Sequence, residues 1–124
     1  MSYVALATNQ YEQMTRFYGQ DLGFRAVGAW DRPSARGCTF DLGGLRVEIL
    51  DAGRENHSLR LEPPSDRVHL VVEVDDVDAA RAALALDVPS PEDTSWGARL
   101  FRVRDPDGTL LTYVQWIRQR QYDE

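Results

Sequence analysis

Apolar and polar positions change their period several times along this chain, and each change marks an element. Tyr3 to Ala7 is a short apolar run suited to a strand, and Asn9 then opens a helix, with Glu12 three positions on as a capping-box partner. Met14, Phe17, Tyr18 and Leu22 recur on one helical face, and Gly23 supplies the stop. Phe24 to Trp30, Arg36 to Leu42 and Leu45 to Leu50 read as strands, the last two joined through Gly43-Gly44. From Asp51 to Arg67 the pattern breaks at Gly53, Pro63, Pro64 and many polar residues. That stretch is long for a loop inside one compact unit and reads as a connector between two halves. Val68 to Val74 is a strand of mostly branched residues. Asp75 or Asp76 begins a second helix through Val77, Ala80, Ala83 and Leu84. Leu100 to Arg104 and Thr109 to Ile117 are strands flanking the turn Asp105-Pro106-Asp107-Gly108. One further edge strand belongs between Leu86 and Ala98, where no pattern places it. The chain thus divides into a first module of about 1–52, a connector of about 53–66 and a second module of about 67–124, within a single domain over 1–124.

The halves match in spacing as well as in element order. Tyr3 lies six residues before Asn9, and His69 six before Asp75. Asp41, Gly44 and Glu48 are spaced as Asp105, Gly108 and Thr112 are. Within the strands, Val4, Leu6, Val47, Ile49, Leu70, Val72, Leu111 and Tyr113 form the set that covers the helices. The opposite set holds Tyr3, Arg46, Glu48, His69, Glu73, Thr112 and Trp116. A face mixing these groups with Ala and Val is too apolar for a solvated surface, and it suggests a cavity lining. The plainer alternative is the wet outer face of an antiparallel sheet.

Composition narrows the chemistry. All 14 basic residues among the 124 are arginines, which excludes Schiff-base, phosphate-loop and general-base lysines. The formal net charge of −6 argues against nucleic-acid binding and leaves cationic ligands open. The lone Cys38 cannot make an internal disulfide, so a reducing cytoplasm is the expected home. No apolar run suits a membrane span. Six serines are present, none in a nucleophile-elbow context. Cys38 reads as a small core residue, and the Asp105 turn as structure rather than catalysis.

Three stretches carry a resemblance: FYGQDLGF at Phe17 to Phe24, HLVVEVDDVDAARAAL from His69 to Leu84, and WGARLFRVRDPDGTLLTYVQ from Trp96 to Gln115. Over nearly its whole length the chain resembles the vicinal oxygen chelate superfamily of glyoxalases, bleomycin-resistance proteins and extradiol dioxygenases. The resemblance implies an α+β fold of two βαβββ modules forming curled mixed sheets around a cleft, usually in a homodimer. It also implies that metal-dependent members place ligands where this chain has Tyr3, Glu48, His69 and Thr112. Only Glu48 and His69 are residue types those enzymes use. Thr112 is a neutral, poor donor, and Tyr3 would have to lose a proton of ordinary pKa near 10. Without a metal, Glu48 and His69 would pair or orient a ligand. His57 reads as a solvated connector residue.

Phe17, Tyr18, Phe101 and Tyr113 fall on helix-facing positions and read as core, whereas Trp30, Phe40, Trp96 and Trp116 are less readily absorbed there. Members of the group that sequester antibiotics stack planar ligands on such side chains, inside an acidic crevice. Arg46 and Arg102 could fork onto a carboxylate or pair with Glu48 or Glu73. The leading expectation is therefore a small-molecule-binding protein without an obligatory metal, holding an aromatic or cationic compound such as an antibiotic. Its ligand-binding residues would be Tyr3, Trp30, Arg46, Glu48, His69, Trp96, Arg102, Thr112 and Trp116. The alternatives are a lyase, isomerase or dioxygenase using Zn, Ni, Mn or Fe at Glu48 and His69, and a non-catalytic partner-binding domain.

Overall fold

The computed structural model describes residues 1–54 and 59–118, so His57 lies outside the described residues. In the first module the elements are β1 (Val4–Thr8), α1 (Tyr11–Arg16), β2 (Arg25–Arg32), β3 (Ala35–Asp41) and β4 (Arg46–Asp51). The second repeats them as β5 (His69–Glu73), α2 (Val77–Ala82), β6 (Glu92–Asp93), β7 (Ala98–Arg104) and β8 (Leu110–Trp116). The sheets have matching orders, β1-β4-β3-β2 and β5-β8-β7-β6. In each, the first strand runs parallel to the last, and the other neighbours are antiparallel.

The register bears out the spacing repeat. Ala5 lies opposite Glu48 in one sheet and Val71 opposite Thr112 in the other. The hairpin before each last strand is built alike. Asp41 Oδ1 accepts the backbone N–H groups of Gly43 and Gly44, both at 3.0 Å. Asp105 Oδ1 accepts those of Asp107 and Thr109, at 3.0 and 2.9 Å. Gly44 and Gly108 take positive φ, +105° and +95°, where a side chain would be strained.

Several local expectations need correction. No capping box forms at Asn9: Gln10 is the N-cap of α1 and makes no side-chain cap bond. β1 runs on to Thr8, whose buried hydroxyl accepts the Gln10 N–H at 3.0 Å and turns the chain instead. The helix then widens into a π-helical turn, Phe17–Asp21, which hydrophobic period alone cannot distinguish from α-helix. Gly19 sits there because a Cβ would come within 3.1 Å of the Phe40 ring. That ring is itself core, stacked on Tyr18 at 6.1 Å, so Phe40 is not left for a ligand. In α2, Asp76 caps through Ala79 N–H at 3.0 Å, and Gln115 Oε1 takes the Val77 N–H at 2.9 Å. α2 ends at Ala82, before the expected Leu84. β6 is the edge strand the pattern could not place, two residues being too short to alternate.

The modules share one core. Met14, Tyr18, Val47 and Ile49 from the first meet Leu70, Val77, Phe101 and Leu111 from the second, all buried. Each such side chain contributes about 1.5–3 kcal/mol of burial. Tyr113 is stacked between Phe101, at 4.7 Å, and Phe24 of the first module, at 6.3 Å. Polar ties cross as well: Tyr18 O–H donates to Asp105 Oδ2 at 2.8 Å, and Ala85 N–H to Asp21 O at 2.9 Å. The helix-covered faces are thereby joined, and the opposite sheet faces are left open.

Candidate ligand-binding site

The open face of the second sheet carries a hollow of about 340 Å³, lined by His69, Val71, Trp96, Leu100, Arg102, Thr112, Val114 and Trp116. Strand register explains the set. Antiparallel partners share a face, and β7 and β8 set Leu100 against Val114, Arg102 against Thr112 and Ala98 against Trp116. β5 adds Val71 beside Thr112. Val71, Leu100 and Val114 form an apolar floor that only strict parity would have revealed. Trp96 and Trp116 stand at one end with ring centroids 5.3 Å apart and planes inclined at 56°. Trp116 donates its indole N–H to Glu73 Oε1 at 3.1 Å.

Trp96 is 53% exposed, yet its segment is tied down rather than loose. The Thr94 hydroxyl donates to Ala98 O at 3.1 Å and accepts from Ala98 N–H at 3.0 Å. Gly97, at φ +93°, lends its carbonyl to the N–H groups of Ile117 and Arg118. At the other end His69 Nε2 bonds Asp66 O at 2.7 Å. Thr112 is 6% exposed, and its hydroxyl has no hydrogen-bond partner among the described residues.

Five of the nine expected residues therefore meet: His69, Trp96, Arg102, Thr112 and Trp116. The other four, Tyr3, Trp30, Arg46 and Glu48, belong to the first module and do not line this hollow. Trp30 lies over Gly37, its cross-strand partner, where any side chain would collide with the indole. Tyr3 is 56% exposed just before β1. Glu48 faces Ala5 and Thr39 on the neighbouring strands and is itself engaged. The expected bond between Glu48 and His69 is not made, because the two sit on different sheets and the ring of His69 is turned to Asp66. Charge is also distributed otherwise than the net value suggests: no Asp or Glu lines the hollow, while Arg102 does.

A family model described as the Glyoxalase/Bleomycin resistance protein/Dioxygenase superfamily matches residues 1–113. The chain belongs to this superfamily. Structures of similar fold include a glyoxalase/bleomycin resistance protein/dioxygenase from Nocardioides, 24% identical, covering 100% of this chain and 89% of that one with a TM-score of 0.71. TnmS3, an antibiotic binding protein from Streptomyces sp. CB03234, is 24% identical over 94% of this chain and 97% of its own, with a TM-score of 0.59. TioX from Micromonospora sp. ML1 is 23% identical over 98% and 99%, with a TM-score of 0.67. At these identities the likeness is one of fold. No curated protein matches the sequence.

Within the superfamily, this chain's residues fit a metal poorly. A firmly held divalent ion wants three or four donors. Of the positions at which the resemblance puts ligands, Thr112 offers a neutral hydroxyl, Tyr3 a phenol, and His69 has its Nε2 on a carbonyl, which leaves Glu48 as the one carboxylate. No group of three His, Cys, Asp or Glu that could hold a metal ion is present among the described residues.

Proposed function

We propose that the protein binds a planar aromatic small molecule on the open face of its second sheet, without needing a metal. The observation that carries this reading is the hollow itself, with an apolar floor between paired tryptophans at one end and Arg102 and Thr112 at its side. Its volume of about 340 Å³ lies at the small end of the roughly 300–1,000 Å³ usual for ligand sites. TnmS3, which shares the fold, is described as an antibiotic binding protein, which makes sequestration of an antibiotic one use such a site could serve.

The test is tryptophan fluorescence against a panel of planar aromatic compounds, with elemental analysis of the same preparation. Saturable quenching by at least one compound is expected, weakened about fivefold in Trp116→Leu, because a stacking face is worth about 1 kcal/mol. Stoichiometric Zn, Ni, Mn or Fe that Glu48→Ala abolishes would contradict the metal-free reading and favour a lyase or dioxygenase. Val68 and Ile117, 59% and 56% exposed next to the lining residues His69 and Trp116, leave apolar surface beside the hollow, so we also expect a homodimer in solution. Light scattering giving a monomer mass would overturn that expectation. A cytoplasmic location is the setting we propose, on the single buried thiol of Cys38; detection of the native protein in a secreted fraction would oppose it.

A further inference from the structure

The hollow that binds the ring also has the means to choose its charge. β7 carries Arg99, Arg102 and Arg104. Arg99 forks onto Asp78, at 2.9 and 3.0 Å, and reaches Asp93 at 3.1 Å. Arg104 forks onto Asp66, at 2.8 and 3.0 Å. Arg102 has no ion pair or side-chain hydrogen bond among the described residues. In a chain with 20 acidic residues against 14 basic ones, carboxylates are plentiful, yet among the described residues none pairs with this guanidinium, and Asp66, which lines a neighbouring hollow with it, is taken by Arg104. Directly across the ladder lies Thr112, buried to 6% exposure, whose Oγ1 lacks a partner. On its other side the neighbour is Val71, which can give it nothing. A buried hydroxyl without a bond is costly unless a ligand completes it.

Resting on the binding reading above, we propose that this site is selective for an aromatic carboxylate. The ring lies against Trp116 and Trp96 over the Val71, Leu100 and Val114 floor. The carboxylate takes the fork of Arg102 and, once a turn about χ1 brings the covered Thr112 hydroxyl to the hollow, accepts its hydrogen. Glu73, the nearby acid, is occupied by the Trp116 indole N–H and serves to set that ring. A cationic guest would meet Arg102 with no carboxylate in the lining to balance it.

Isothermal titration with three compounds of one shape tests this: 2-naphthoate, neutral 2-naphthamide and cationic 2-naphthylmethylamine. The wild-type protein should bind the naphthoate about tenfold or more tighter than the amide, as a charge-assisted fork implies. Arg102→Gln should bring naphthoate down to the level of the amide, so that the ratio of their affinities falls to about one. Thr112→Val should weaken naphthoate while the melting temperature stays level or rises, since the valine removes an unpaired hydroxyl at similar volume. Amide or amine binding as tight as naphthoate, or naphthoate indifferent to Arg102→Gln, overturns the charge selection but leaves aromatic binding standing. No binding by any of the three overturns both.

Discussion

Two hydroxyls one residue apart, Thr112 and Tyr113, are buried without hydrogen-bond partners among the described residues, and they have different meanings. Thr112 lines the hollow, where a turn about χ1 would bring its covered hydroxyl to a ligand. Tyr113 points into the shared core between Phe24 and Phe101, where burial pushes its pKa above the ordinary phenol value. Nothing from solution can bond it there. Tyr113→Phe keeps the stacked ring and removes an unsatisfied group, so the variant should melt at the same temperature or higher. A loss of 1 kcal/mol or more, read by chemical denaturation, would mean the hydroxyl has a partner. Residues of this kind were half legible in the sequence. Alternation assigned Tyr113 to the core and Thr112 to the opposite face, because a strand allows only two sides. Which hydroxyls lack partners depends on neighbours brought from other strands, and no local pattern holds that.

The paired hairpins show one element in two environments. Asp41 and Asp105 hold equivalent turns with similar hydrogen bonds, yet their carboxyls are shifted oppositely. The N–H groups of Gly44 and Gly43 hold Asp41 below the usual carboxylate range. Burial pushes Asp105 above it, despite bonds from Tyr18, Thr109 and Asp107. A raised folded pKa means the folded state binds more protons, so Asp105 costs stability as pH rises from the ordinary carboxyl range through the folded value. Asn at that position keeps the backbone acceptor, turns its amide toward the Tyr18 oxygen and cannot ionise. The melting temperature of Asp105→Asn relative to wild type should therefore climb from about pH 4 to pH 7. A constant difference across that range would refute the burial argument. The hairpins were legible because their Asp and Gly occupy the same offsets in both halves. The π-helical turn and β6 were not: one shares its hydrophobic period with an α-helix, and the other is too short to have one.

At the scale of the whole molecule, the two modules were visible as a spacing repeat, and their arrangement was not. Parity told which residues share a face of one sheet, but not which faces of the two sheets meet. The helix-covered sides form the common core, so Trp30 and Glu48 part from Trp116 and His69. The net charge of −6 sums the whole surface, whereas the lining of the hollow holds Arg102 and no Asp or Glu. Whether the second-sheet hollow is the binding site can be read directly from the three tryptophans. Each indole N–H gives one signal in a proton–nitrogen correlation spectrum. During titration with 2-naphthoate, binding in that hollow should shift the Trp96 and Trp116 signals saturably. Saturable binding that moves neither of them, or moves only Trp30, would contradict it.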